Sequence, residues 1–323
     1  MTTRLDRIRG SLLAGAVGDA LGAPVEFWSW PQIEQSCGPA GVTDYLPAYG
    51  LDGGAITDDT QMTLFTGEGL LDGGLRIDSI WQAYRRWLHT QDSSVSIQLD
   101  GWLVDEPQLR HRRAPGNTCL TALHDGRPGT IARPINDSKG CGGVMRVAPI
   151  GLVSGVDDPF ALAADAAALT HGHPSGYLSA GVLAHAIQRV MHGATLPDAV
   201  DDAIARLQSE PLHAETLDAL IAARHAAIRA ITPAALESLG GGWTGEEALA
   251  IAVACALAAG DDLPAGLRWA VNHSGDTDST GAICGNLLGV LLGVDAVPSA
   301  WLDRLEGRDI IERIARELHD AND

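Results

Sequence analysis

The chain is short of aromatic residues and nearly devoid of lysine. Its 323 residues include three Phe, four Tyr and a single lysine, Lys139. Strands draw on β-branched and aromatic side chains, whereas segments rich in Ala and Gly favour closely packed helices, so this shortage argues against a sheet protein. Cysteine is sparse as well. Cys37, Cys119, Cys141, Cys255 and Cys284 are scattered, odd in number and without a C-x-x-C pair, which excludes a disulfide framework and a thiolate zinc site. Reduced thiols in a cytoplasmic protein are the simplest account. The most apolar stretches, 248–259 and 281–294, fall short of the ~18–20 residues that span a bilayer. Arg4, Arg7 and Arg9 precede the apolar stretch 12–17, but Asp19 and Glu26 follow too closely for a signal peptide. Basic charge is the last shortage. The formal charge of −19 disfavours nonspecific binding to nucleic acid or anionic membrane, and neither partner is expected.

What is present is helical periodicity. Apolar residues at 5, 8, 12, 13, 16 and 17 form one stripe, so 5–21 is expected to be a helix. Gly10, Ala14, Gly15 and Gly18 would let a neighbouring backbone approach it closely, and Gly22, Ala23 and Pro24 end it just before Glu26. Residues 31–56 and 125–143 are rich in Gly and Pro without a period and read as long loops, a type often functional. Helices are predicted over 77–89, 159–169, 175–191, 196–207, 214–230, 246–259, 281–294 and 301–319, with a short one capped by Asn117. Hardly any segment alternates with period two, no linker divides the chain and no repeat is visible. The fold class is therefore all-α, and residues 1–323 are read as one multi-helix domain, expected to be a monomer.

Two acidic clusters lie at opposite ends of the chain: Thr57, Asp58, Asp59 and Thr60, and Gly275, Asp276, Thr277, Asp278, Ser279 and Thr280. The first is also a good helix-capping sequence, with Thr57 or Asp58 as the cap. The second directly precedes a helix so apolar that one end of the cluster must be buried, and buried carboxylates without partners are costly. Arg268 is the nearest basic residue in sequence. Carboxylate and hydroxyl oxygens are the donors that Mg²⁺ and Mn²⁺ take, so a cation is the natural partner. Were the fold to bring the clusters together, four carboxylates would suffice for two ions. The spacing does not match an EF-hand.

The run Gly15, Ala16, Val17, Gly18, Asp19, Ala20, Leu21, Gly22, Ala23, Pro24, Val25, Glu26, Phe27 resembles the opening motif of the ADP-ribosylglycohydrolase family. Thr57–Thr60 and Gly275–Ser279 resemble its two metal motifs, and 116–120, 143–149 and 242–250 resemble further family segments, in order over nearly the whole chain. The resemblance implies an all-α domain around two divalent cations, Mg²⁺ or Mn²⁺, and hydrolysis of the C1″ glycosidic bond of an ADP-ribosyl group. It implies Thr57, Asp58 and Asp59 as one ligand set and Asp276, Asp278 and Ser279 as the other; the family often has Thr where Ser279 stands. Glu26, Asp59 and Asp276 are the expected catalytic residues, Glu26 or an aspartate taking a proton from water. Cleavage at C1″ builds oxocarbenium character, as in glycoside hydrolysis.

The rest of such a ligand is a diphosphate and an adenosine. Ser138, Gly140, Gly142 and Gly143, around Lys139, are a candidate anion cradle because glycines expose backbone amides. Gly242 and Trp243 are a candidate platform for a stacked ring. His171 and His173 suit a capping or substrate-side role rather than zinc, the Arg110–Arg113 cluster reads as a solvated loop, and Asp19 as part of a buried polar network. The expected partner is an ADP-ribosylated protein, with ADP-ribosyl-arginine as the linkage. The alternatives are ADP-ribosyl-serine, poly(ADP-ribose), small-molecule ADP-ribosides, a metallo-phosphohydrolase acting on a nucleotide diphosphate, and a non-catalytic ADP-ribose-binding relative.

Overall fold

A computed structural model describes residues 2–98 and 100–321. The helices run α1 (Arg4–Gly22), α2 (Trp30–Cys37), α3 (Asp58–Gly73), α4 (Ile77–Gln91), α5 (Asn117–His124) and α6 (Ala148–Leu152). They continue with α7 (Pro159–Ala168), α8 (Pro174–Met191), α9 (Leu196–Leu207), α10 (Ala214–Ala227) and α11 (Pro233–Glu237). The last are α12 (Gly245–Ala259), α13 (Leu263–Ala270), α14 (Thr277–Leu292), α15 (Ser299–Leu302) and α16 (Arg308–Asp320). Among the described residues there is no strand, only isolated bridges, so the all-α expectation holds.

The centre of the molecule is the pair α1 and α14, the most extensive helix contact in the fold. Every residue from Gly10 to Gly22 in α1, and from Thr277 to Val290 in α14, is buried. A helix apolar on all sides has no solvent face to offer and goes to the core. What lets these two backbones meet is the absence of side chains along the seam. A Cβ on Gly18 would lie 2.0 Å from the Gly281 carbonyl oxygen, and one on Gly281 2.4 Å from that of Gly18. The small residues noted in α1 are thus one half of a two-sided seam. Around this pair, α16 packs an amphipathic face carrying Ile310, Ile311, Ile314 and Leu318, and α12 packs against α14 from another side.

Several boundaries differ from the periodicity. The stretch 31–56 holds the helix α2, started by a Ser29–Gln32 capping box with Pro31 in its first turn; eight residues are too few to establish a period. Leu263–Ala270 is also helical, capped by Asp262. The expected helix 301–319 is two helices separated by a turn, with Gly307 in the left-handed region at φ 68°. Asn117 is the first residue of α5 rather than its cap, which is Gly116. The helix read as 281–294 begins four residues earlier, at Thr277, with Asp276 at the N-cap position and the polar cluster forming its first turn.

Candidate functional site

The two acidic clusters occupy equivalent places: each is the N-terminus of a buried helix. Thr57 caps α3, its hydroxyl accepting from the Asp59 N–H at 3.3 Å and donating to Asp19 Oδ1 at 2.9 Å. Asp19, on α1, also accepts the main-chain N–H of Thr57 at 3.0 Å and the N–H and hydroxyl of Thr60 at 3.1 and 2.5 Å. Asp19 is the buried polar network that the sequence suggested, and it fastens α3 to α1. Asp58 Oδ2 accepts from the Gly116 N–H at 3.2 Å.

On α14, Asp276 donates its N–H to the Gly241 carbonyl at 2.8 Å. Gly275 makes that approach possible: its φ is +133°, and a Cβ there would lie 2.0 Å from the Gly241 oxygen. Asp278 Oδ1 accepts from the Ser279 N–H at 2.9 Å, and the Thr277 hydroxyl donates to the Gly22 carbonyl at 2.9 Å. This last bond joins the first turn of α14 to the last turn of α1, just before Glu26. As a result, carboxylate oxygens of Glu26, Asp276 and Asp278 all lie within 4.8 Å of one another. The partial positive charge of two helix N-termini favours these anions, but only by about 1 kcal/mol at each.

All five carboxylates, Glu26, Asp58, Asp59, Asp276 and Asp278, line one cleft of ≈ 330 Å³, and no Lys or Arg lines it. Glu26 Oε2 and Asp59 Oδ1 are buried without a hydrogen-bond partner. Burial, and then the neighbouring Asp278, push the Glu26 carboxyl up to about 10 and the Asp19 carboxyl up to about 7. The same two causes hold Asp58, Asp59 and Asp276 well above the usual carboxylate range. Concentrated negative charge with orphaned oxygens and no basic counter-ion is the environment that a hard divalent cation stabilises. The all-oxygen donor set fits such an ion.

The other expected site residues divide. Gly140, Gly142 and Trp243 line the cleft; Ser138, Gly143, Gly242 and Thr57 do not. Lys139 turns away and pairs with Glu215 at 2.6 Å and Glu246 at 2.8 Å. The glycine loop is held to the Trp243 segment by two main-chain bonds, Cys141 N–H to the Trp243 carbonyl (3.1 Å) and Gly245 N–H to the Lys139 carbonyl (2.8 Å). Trp243 is 42% exposed and stacks on Phe27, ring centroids 5.2 Å apart. Phe27 is itself at φ 70°. His173 caps α8, accepting from the Ser175 N–H at 3.2 Å. Arg113 is buried against Glu306 and Arg110 pairs with Asp105, and Arg268 reaches the Thr43 carbonyl, so none of them faces the cleft.

Besides residues 114–119 and Met145, the cleft is lined by Phe27, Cys141 and His171, which were not among the expected catalytic, metal or ligand-binding residues. Phe27 had no signal beyond its place after Glu26. The Cys141 thiol donates to Asp276 Oδ2 at 2.7 Å, in a glycine loop whose amides alone drew attention. His171 is fully buried yet lines the cleft beside Gly140 and Gly142. Of the two roles expected for the pair His171 and His173, His173 takes the capping one and His171 stands on the cleft side.

An all-helical core aims two acidic helix N-termini into one cleft whose oxygens suit a divalent cation, and the comparisons with known proteins give its kind. The profile of the ADP-ribosylglycohydrolase family matches residues 1–323. The chain is similar to the ADP-ribosyl-[dinitrogen reductase] glycohydrolase of Rhodospirillum rubrum, with 29% identity over 98% of this chain and 95% of the relative. It is similar to the ADP-ribosylarginine hydrolase Tri1 of Pseudomonas putida, with 25% identity over 98% of this chain and 78% of the relative. A solved structure described as an ADP-ribosylglycohydrolase-related protein complex superposes with a TM-score of 0.76 over 100% of both chains, at 28% identity. The chain belongs to the ADP-ribosylglycohydrolase family, whose members are hydrolases acting on glycosyl bonds.

Proposed function

We propose that this protein hydrolyses the C1″ glycosidic bond of ADP-ribosyl-arginine in protein, releasing ADP-ribose, and that it needs two divalent cations, Mg²⁺ or Mn²⁺, to do so. The observation that carries this reading is the cleft itself: five carboxylates and no cationic side chain. The arginine linkage draws support from the name of the Pseudomonas putida relative and from charge, since an acidic cleft attracts a guanidinium and gives a neutral serine linkage no such advantage.

In this proposal Thr57, Asp58 and Asp59 of α3 hold one cation, and Asp276, Asp278 and Ser279 of α14 hold the other. Bound there, the cations supply Lewis-acid charge that offsets the carboxylates and polarises oxygens of the substrate. Asp19 orients Thr57, and the Cys141 thiol orients Asp276. Glu26, with an oxygen free of protein partners, would be ionised once cations offset the burial and neighbouring aspartates that raise it, and then takes the proton from the water that attacks C1″; Asp59, with its own orphaned Oδ1, and Asp276 flank it. The C1″–N bond breaks with its electron pair going to nitrogen, the guanidinium leaves as neutral guanidine, and it then takes up the proton that Glu26 removed from the water. The diphosphate lies along the Ser138–Gly143 loop, where Gly140 and Gly142 bare their backbone, and Trp243 with Gly242 takes the adenine. The chain acts as one cytoplasmic domain and as a monomer; its cysteines are all free, and no described helix is long and apolar enough to cross a membrane.

The test is a linkage comparison. Arginine- and serine-ADP-ribosylated peptides are incubated with the protein and Mg²⁺ or Mn²⁺, and free ADP-ribose is followed by mass spectrometry. Release from the arginine peptide alone supports the proposal. Release from the serine peptide alone, or of AMP instead of ADP-ribose, contradicts it.

A further inference from the structure

Arg146 is fully buried, and its guanidinium meets no carboxylate among the described residues. It lies over the Tyr84 ring, 4.2 Å from the centroid, and donates to the Ala166 carbonyl at 3.2 Å and the Thr170 hydroxyl at 2.7 Å, with Cys119 Sγ at 3.4 Å and Met62 Sδ at 3.7 Å. The Thr170 hydroxyl is in turn 2.8 Å from His171 Nδ1. A guanidinium can only donate, so the Thr170 oxygen must accept from it and has one proton of its own to place. Two acceptors compete for that proton: His171 Nδ1 at 2.8 Å and the Ala167 carbonyl at 3.5 Å. The Arg146 charge on its oxygen makes the Thr170 hydroxyl a weak acceptor and a strong donor toward its other partner, and the nitrogen at 2.8 Å is far better placed to receive that proton than the carbonyl at 3.5 Å. His171 Nδ1 therefore accepts, and the ring proton sits on Nε2.

The far edge of the ring faces the cleft. A Cβ added at Gly142 would lie 3.1 Å from Cε1 and 3.3 Å from Nε2, and one at Gly140 3.5 Å from Nε2. Glycines at these two positions leave that edge open. Burial, and then the Arg146 charge, lower the imidazole to about 3, in keeping with a neutral ring. Cys119, beside Arg146, is held protonated by burial, up to about 11, so it brings no charge to the ring.

We propose that Arg146 and Thr170 are positioning residues that fix His171 as the neutral, Nε2-protonated imidazole, giving the cleft wall at Gly140 and Gly142 an uncharged N–H donor for a ligand oxygen. The ligand side of this proposal rests on the functional reading above. A cleft with five carboxylates and no Lys or Arg offers an anionic diphosphate few donors, and a neutral one there brings no positive charge close enough to compete with cations for the carboxylates. Thr170 and Arg146 do their part without touching the ligand.

The tautomer is read by two-bond ¹H–¹⁵N correlation NMR of the full-length protein without ligand, the His171 signals being assigned by their loss in His171→Gln. The expected pattern is a protonated Nε2 and an unprotonated Nδ1 that persists from pH 5 to 8. Thr170→Val keeps the shape but removes the relay: the tautomer should become mixed, and the Kd for ADP-ribose in the presence of Mg²⁺ should rise roughly 3–15-fold, the value of one hydrogen bond. Thr170→Ser should restore both. Nδ1 protonation or a charged ring in the wild type would overturn the proposal, as would a Thr170→Val protein with wild-type tautomer and affinity. Because the spectrum needs no ligand, the two readings separate. A wild-type protein that fails to bind ADP-ribose overturns the functional reading and the ligand role of His171 together, whereas one that binds it with the wrong tautomer overturns only this inference.

Discussion

Asp19 accepts both the main-chain N–H of Thr57, at 3.0 Å, and the Thr57 hydroxyl, at 2.9 Å. A carboxylate from α1 thereby sets the start of α3 and takes the Thr57 hydroxyl proton, leaving that oxygen's lone pairs to accept. Asp19→Asn replaces one acceptor oxygen by an N–H₂ facing donors. The expected result is a rise in the Mn²⁺ Kd of about 10–100-fold, the usual effect of losing a group that orients a ligand. Isothermal titration of the two proteins with Mn²⁺ checks it; an unchanged Kd would mean that Thr57 needs no such support.

The α1–α14 seam makes a second prediction. Gly18→Ala puts a methyl 2.0 Å from the Gly281 carbonyl, with backbone rather than a flexible side chain in the way. The two central helices must separate, at a cost of about 1–3 kcal/mol or more. Because Asp19 adjoins Gly18 and Asp278 lies a turn before Gly281, activity should fall more steeply than stability. Thermal melts and turnover measured on the same preparation check this; a variant with wild-type values for both would show that the seam has slack.

The fold was largely legible in the sequence because its central helices are extreme. α1 carries a clear apolar stripe and α14 a long apolar run, both dense in small residues, so their existence could be read from the sequence, but that they pack on each other could not. Short helices were lost: α2 and α13 carry too few residues for a period, and their caps, a Ser29–Gln32 box and a single Asp262, are signals of one or two side chains. At the site, the carboxylates stood out because their charge had no nearby partner in sequence. Cys141 and Phe27 did not, since each reaches the cleft through a contact that only the folded chain creates, with Asp276 and with Trp243.

Stability without cations should depend on pH in an unusual direction. Asp19 and Glu26 are raised in the folded state, to about 7 and about 10, from about 4 in an unfolded chain. A group raised on folding stabilises fully below its unfolded pKa, and that contribution is lost as pH rises through the folded value. The EDTA-treated protein should therefore lose Tm, on the order of several degrees, between pH 5 and 9. Mg²⁺ or Mn²⁺ should restore most of the loss, and restore more at pH 9 than at pH 5, where protons compete for the same oxygens. A melting temperature that climbs with pH in EDTA would count against the carboxylate cluster.

At the mouth of the cleft, Trp243 lies against Phe27 with the rings 22° from parallel. Trp243→Ala removes the platform proposed for the adenine and should raise KM about 3–10-fold, the value of one aromatic stack. The chemical step is remote from it, so kcat should change less. Steady-state kinetics on an arginine-ADP-ribosylated peptide separate the two; a drop confined to kcat would place Trp243 in a different role.

The most direct test of the central claim is the release of ADP-ribose from that peptide by the wild type, Asp58→Asn and Asp278→Asn, each in EDTA and again after Mg²⁺ or Mn²⁺ is returned. The expected result is release by the wild type that stops in EDTA and resumes with the metal, and a loss of at least about 100-fold in both variants with their helical circular dichroism intact. Full release in EDTA, or by either variant, would contradict a cation-dependent hydrolase built on these two helix N-termini.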